Sequence, residues 1–297
     1  MSQEQPIPFS VFKPSDNRTS QQAPSRPALI LFFILAFGLS WLFWLIPILA
    51  ARGLFHLASP FWFLIIGAFG PLVASFLVTC WKGGVTALLQ FIGRGLRYQI
   101  GIQYLPVIFL LIPIVTALAY WLSTLSSGEQ FSISASLQEI LLTFAFLFFL
   151  GGSLQEEFGW AFAIDGLGRG RNRLAAASLL GVIWGVWHLP LFFIPGTAQS
   201  VMPFWIFCIA TVAARILFVW IYSRTNQSIL ATLLFHTSFN LSLNLFPIIP
   251  RLQAGDQLPF LYLAILLALA AIGPAILLYR SREQLKTQPR MHANRRE

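Results

Sequence analysis

The stretch Leu137–Phe162, LQEILLTFAFLFFLGGSLQEEFGWAF, is a bilayer-length apolar run that ends on two adjacent glutamates, Glu156 and Glu157. Its one other charge is Glu139, near the start. A helix needs about 20 apolar residues to cross the hydrocarbon core. Carboxylates are costly at that depth and are seldom placed there without a partner or a task. The run therefore announces both a membrane span and a candidate site.

Seven further segments have comparable length and hydropathy: Ala28–Ala50, Pro60–Trp81, Gln103–Leu125, Leu174–Ile194, Val201–Tyr222, Ser228–Ile249 and Leu258–Tyr279. The expectation is an all-α membrane protein, a bundle of about eight transmembrane helices. Pro106, Pro113 and Pro247 are expected to shorten or kink the third and seventh spans. The chain is 57% hydrophobic and 10% charged, with a mean hydropathy of +0.74. A soluble domain would carry about a quarter charged residues. The formal charge of +9 does not point to nucleic acid, because the basic residues gather in loops and tails, where they meet lipid head groups. Cys80 and Cys208 lie inside apolar runs, which supports neither a disulfide framework nor a cysteine metal site. Residues 1–27 read as a disordered polar tail, 28–280 as the transmembrane domain with a core at about 137–249, and 281–297 as a basic tail.

Counting Lys and Arg in the loops sets the orientation. Sixteen fall on the side shared by the two termini, and only Arg52 and Arg251 on the other. Both termini are expected to be cytoplasmic. Glu156 lies 13 positions before Arg169, His188 lies 15 after Arg173, and Asn240 lies 14 after Asn226. At 1.5 Å per residue each is roughly 20 Å or less from that face. Three helices can thus bring polar groups to one level, expected near mid-membrane and open to the cytoplasm.

Neighbouring residues on a helix diverge by about 100°, so Glu156 and Glu157 cannot both face one cavity. One carboxylate can serve as general base for a water and return its proton to a leaving amine. His188 and His236 can hold that water, bind a metal or stabilise an oxyanion, and the residues leave these roles open. Asn240, four after His236, shares its helix face and adds an amide donor. Against this stand plainer readings. An intramembrane histidine often serves only helix–helix hydrogen bonding. Trp184 and Trp187 beside His188 would suit an interfacial aromatic belt. Arg215, the one base inside a span, suits structural pairing. Glu156, His188 and His236 are the candidate ligands for Zn²⁺ or another divalent ion.

At these residues the chain resembles the CPBP family of intramembrane proteases, which includes CAAX proteases and bacteriocin-processing (Abi) proteins. Its signature is EExxxR, then an aromatic-xxx-His motif, then His-xxx-Asn. Here these stand as EEFGW at 156–160, WGVWH at 184–188 and HTSFN at 236–240. The likeness covers roughly 150–245, about a third of the chain. It implies an eight-helix bundle and an endopeptidase in which Glu156 activates water and Glu157 assists. His188 would cooperate at that centre, and His236 and Asn240 would stabilise the oxyanion or bind metal. The family is described as metal-dependent, with a metal-free glutamate mechanism also argued. The substrate expected is a membrane-associated or lipid-modified peptide, and the location the plasma membrane of a prokaryote.

The chain departs from the signature at Ala161, where the family has arginine. Arg215 is the candidate substitute. Without one, the chain would be a silent relative that binds a partner, as in bacteriocin self-immunity.

Overall fold

The computed structural model describes residues 23–128, 130–131, 135–169 and 171–287, and for 281–287 the backbone alone. Most of both expected tails lies outside these residues; of the C-terminal one, the backbone of 281–287 continues the last helix. The described residues are helical and coil, without strands. Twelve α-helices follow in order: α1 (Arg26–Ala51), α2 (Phe61–Ala68), α3 (Gly70–Gly93), α4 (Leu105–Ser127), α5 (Leu137–Leu150), α6 (Ser153–Leu167), α7 (Arg173–Trp187), α8 (Phe204–Arg224), α9 (Ile229–Leu245), α10 (Ile248–Gln253), α11 (Leu258–Ala270) and α12 (Ile272–Thr287).

Among the described residues six stretches are long and apolar enough to cross a membrane: Arg26–Ala51, Phe61–Leu96, Ile102–Ser127, Arg173–Phe193, Phe204–Arg224 and Leu258–Arg280. The chain is a multi-pass membrane protein. The third span keeps its length with Pro113 inside it. The seventh segment yields a helix of 17 residues, α9, about 25 Å long at 1.5 Å per residue and so short of a 30 Å core. The fourth departs most from expectation. Instead of one straight helix, Leu137–Phe162 is α5 and α6 bent by 45° at Gly151–Gly152.

α6 is the axis of the molecule. Of residues 153–164 all but Leu154 are buried, and the helix packs against α1, α3, α5, α7 and α9. Outside this ring α8 lies on α7, and α11 packs on α4 and α8. The lipid-facing flanks of the outer helices expose large side chains such as Ile34, Leu77, Leu110 and Leu142. Between helices lipid supplies no hydrophobic drive, so association depends on close packing and hydrogen bonds, and small residues let backbones approach. At Gly159 a Cβ would come within 2.6 Å of the Pro71 carbonyl oxygen, fixing the α3–α6 crossing. At Gly181 it would lie 2.6 Å from Val212 Cα, fixing α7 on α8.

Overpacking of this kind costs about 1–3 kcal/mol in tight cores. Gly159→Val is expected to lose at least that much, read as a lower midpoint of thermal unfolding in detergent, whereas Gly38→Val, with nothing near its added carbon, should leave the midpoint unchanged.

Candidate active site

The break between α5 and α6 builds the site. Gly152 has φ +111°, a conformation that side chains rarely adopt. Two side chains satisfy the polar groups that the break frees. The Gly152 N–H donates to Gln155 Oε1 at 2.8 Å, and Gln155 Nε2 donates to the Ile65 carbonyl at 2.8 Å, tying the start of α6 to α2. Asn240 Nδ2 donates to the Gly151 carbonyl at 2.7 Å, tying the end of α5 to α9.

Glu156 falls in the first turn of α6, where the positive end of the helix dipole complements its charge. Its Oε2 accepts from two indoles, Trp160 Nε1 at 2.9 Å and Trp184 Nε1 at 2.6 Å. Held in this way, the carboxylate presents Oε1 to the cavity. A Cβ built on Gly152 would lie 3.0 Å from Glu156 Oε1, 3.2 Å from Asn240 Nδ2 and 3.4 Å from His236 Nε2. Three polar atoms from α6 and α9 thus ring one point that only a glycine leaves open.

Glu157 turns away, as the helical 100° requires. Its carboxylate lies 3.2 and 3.3 Å from Arg215 Nη1 and 2.9 Å from His236 Nδ1. A carboxylate accepts, so Nδ1 of His236 donates to it and Nε2 is the nitrogen turned to Gly152. The Arg215 guanidinium lies 4.2 Å from the Trp184 ring and 4.7 Å from that of Phe218. Arg215 therefore meets the second glutamate, not the first. Ala161, one turn after Glu157, lines the same small void as Arg215 and Glu157. The cation that the signature puts on α6 stands here on α8, beside the position it would have occupied.

His188 caps the end of α7. Its Nδ1 lies 2.8 Å from the Trp184 carbonyl. A carbonyl only accepts, so Nδ1 carries the proton and Nε2 keeps its lone pair. The ring contacts Trp184, Trp187 and Phe207 edge-on. Trp184 and Trp187 are buried and do not form an interfacial belt: the first holds Glu156 and the second donates to Ser40 Oγ at 2.9 Å.

Glu156, His188, His236 and Asn240 all line one cavity of about 700 Å³; Glu157 stands behind His236. The mouth is marked by the exposed Gly196 after α7, Asn244 in the last turn of α9, and Pro250 and Gln253 in α10. That is the end opposite Ser25, Arg169 and Gln227, hence opposite the side of the termini. The sequence reading had the opening on the termini's side. The counting explains the reversal, since some 20 Å from one face of a core about 30 Å thick lies nearer the other face.

Glu156, His188 and His236, the expected metal ligands, line the same cavity. Among the described residues no three His, Cys, Asp or Glu side chains form a group able to hold a metal ion. Zinc needs donors at about 2.0–2.2 Å. His236 Nδ1 is engaged by Glu157 and His188 Nδ1 by the Trp184 carbonyl, which leaves Nε2 of each ring as the nitrogen a metal would use. Cys80 and Cys208 are free cysteines.

Comparison with known proteins follows the same residues. A family model described as type II CAAX prenyl endopeptidase, Rce1-like, matches residues 137–242, which include all five candidate side chains. Over that core the chain is similar to the CAAX prenyl endopeptidases. A curated protein named CAAX prenyl protease 2, from Methanococcus maripaludis, is 25% identical over 230 residues, covering 73% of this chain and 84% of its own length.

Sequence reasoning missed Gly152 and Gln155, and had Trp160 and Trp184 only as motif or belt residues, not as partners of Glu156. The signal for the first was the pair Gly151–Gly152 ahead of Ser153, a weak point in an otherwise unbroken helix. Gly152→Ala places a methyl within hydrogen-bond range of three site atoms and strains the backbone by about 1–3 kcal/mol. The expected result is abolished peptide cleavage with a folded, monodisperse protein by gel filtration.

Proposed function

We propose that this chain is an intramembrane endopeptidase that hydrolyses a peptide bond of a lipid-modified, membrane-associated peptide with a water activated by Glu156. One observation carries the reading: Glu156 Oε1, His236 Nε2 and Asn240 Nδ2 surround a single point at the floor of a large, mostly apolar cavity. The relative named a CAAX prenyl protease supports the substrate class, and the wall formed by Phe61, Leu64, Leu147 and Leu150 suits an acyl or prenyl chain. The relative's source and the loop charge bias support the plasma membrane of a prokaryote.

Glu156 Oε1 takes a proton from water as the oxygen adds to the scissile carbonyl. The negative charge that forms on the carbonyl oxygen is met by the second N–H of Asn240 and, with the His236 ring carrying both protons beside Glu157, by His236 Nε2–H. Glu157, fixed by Arg215, orients that imidazole through Nδ1. As the carbon–nitrogen bond breaks, the proton on Glu156 passes to the leaving amine, giving a carboxylate and a free amino terminus. His188 Nε2, with its lone pair free, accepts from the water or the amine. Preorganised donors of this kind contribute about 3–4 kcal/mol each. With the termini cytoplasmic, as the charge bias assigns, the scissile bond enters from the opposite face.

The test is Glu156→Gln, which keeps an acceptor for both indoles but removes the base. Cleavage of a fluorogenic prenylated peptide is expected to fall by about 10²–10⁴-fold. Unchanged turnover in a folded variant would remove Glu156 from the chemistry. The silent reading rests on Ala161. The position of Arg215 favours the enzyme, because the missing charge is present from another helix.

That substitution of one arginine for another can be checked directly. Arg215→Ala leaves Glu157 buried without its cation, which costs about 3–5 kcal/mol where a buried pair is broken. Both kcat and the unfolding midpoint should drop. Adding Ala161→Arg, one turn from Glu157 and next to the space vacated, is expected to restore both in part. A double variant no better than the single one would show that Arg215 acts otherwise.

A further inference from the structure

A second cavity, of about 640 Å³, lies at the other end of the molecule. It is walled by the start of α1, by α3 on both sides of the kink at Gly84 (φ +68°) and by the end of α6. Its basic residues are Lys82, Arg94, Arg169 and Arg173, and its acidic one is Asp165. Asp165 is already engaged, by Arg94 Nη1 at 2.8 Å and by the Tyr222 hydroxyl. Arg169 and Arg173 donate to neutral partners, the Ala23 carbonyl and the Ser223 hydroxyl, and Arg173 shares with Arg94 the one carboxylate of the cavity, Asp165, so positive charge is in excess there. Arg94 is 5% exposed, and its Nε and Nη2 find no acceptor among the described residues. Thr79 Oγ1, on the same wall, also lacks a partner. Buried guanidinium nitrogens without acceptors are costly, and such groups call for an explanation. A cavity with several cationic donors and unfilled hydrogen bonds asks for an anion.

We propose that this cavity holds the phosphate-bearing headgroup of an anionic phospholipid from the leaflet on the side of the termini. Arg94 Nε and Nη2 form a fork suited to phosphate oxygens, with Thr79 and Lys82 as further donors. The surroundings are those of a lipid, not a soluble ion. Ala28, Val78 and Phe162 supply apolar wall beside the charges. Trp81 is 65% exposed and carries the Lys82 ammonium 4.3 Å from its ring centroid, an interfacial pairing. Val85 and Leu89, after the kink, are also exposed. The charge bias assigns this side to the cytoplasm, whose leaflet carries the anionic lipids.

The experiment is native mass spectrometry of the full chain in mild detergent, titrated with phosphatidylglycerol, with phosphatidylcholine and with inorganic phosphate. One phosphatidylglycerol is expected to stay bound where phosphatidylcholine does not. Each surface basic residue contributes about 1 kcal/mol to such binding, or about fivefold. The double variant Lys82→Ala/Arg169→Ala, both positions exposed, should therefore bind about 25–30-fold more weakly. Arg94→Lys keeps a cation for Asp165 but removes the fork, and should lose retention while its unfolding midpoint stays near that of the parent. Equal retention of both lipids, or retention unchanged in both variants, overturns the site. Displacement of the lipid by millimolar inorganic phosphate would assign the cavity to a soluble anion and overturn the lipid assignment.

Discussion

The interruption of one helix inside the membrane governs everything else in this molecule. Hydrocarbon offers no water to a freed N–H or carbonyl, so irregular backbone survives there only where protein satisfies it or a wet cavity lies beside it. At Gly151–Gly152 both conditions hold. Gln155 and Asn240 take up the freed groups, and the cavity adjoins them. The same two residues anchor α6 to α2 and α5 to α9, so the repair of the break also sets the helix positions. Had the helix continued unbroken, Glu156 would sit in mid-helix with no helix end to complement its charge, and Asn240 would have no carbonyl to meet.

Charge placement follows from the same constraint. Buried Glu156 and Glu157 and part-buried Asp165 each have a dedicated partner set: two indoles for Glu156, a guanidinium and an imidazole for Glu157, and a guanidinium and a phenol for Asp165. Buried ion pairs bring little net stability once desolvation is counted. Apolar residues of the same volume would hold such a bundle at least as well. The retention of Glu157 with Arg215 is better explained by what the pair does to His236, whose ring it fixes with one nitrogen toward Glu157 and the other toward Gly152. Aromatic faces complete the arrangement, since Trp184 binds Glu156 at its edge and Arg215 at its face.

Much of this was legible in the chain itself. Hydropathy alone placed the helical segments, because burying backbone in lipid leaves few alternatives to a helix. The polar residues inside apolar runs pointed to the site because polarity is rare there. The 100° divergence of Glu156 and Glu157 and the shared face of His236 and Asn240 both follow from helix geometry and both hold. What could not be read was local backbone conformation and tertiary pairing. Nothing in a hydropathy profile distinguishes a glycine pair that bends a helix from one that packs within it. Trp184 has the composition of a belt residue, and only its position facing α6 makes it a ligand of Glu156. Arg215 lies 58 residues from Glu157, a separation at which sequence can nominate a partner but not show contact.

The two cavities give the molecule a polarity that neither has alone. The first cavity is mostly apolar with a few converging polar atoms and opens away from the termini, while the second is basic and opens beside them. α6 joins the two: its first turn carries Glu156, and its last turns carry Asp165, which holds Arg94. A helix buried along nearly its whole length and anchored at both ends cannot tilt without disturbing both sets of contacts. An anion drawn to Arg94 at one end would therefore bear on the same rigid element that sets the Glu156 carboxylate at the other. That linkage is mechanical before it is regulatory, and it explains why so short a helix carries charge at both termini in a setting where charge is expensive.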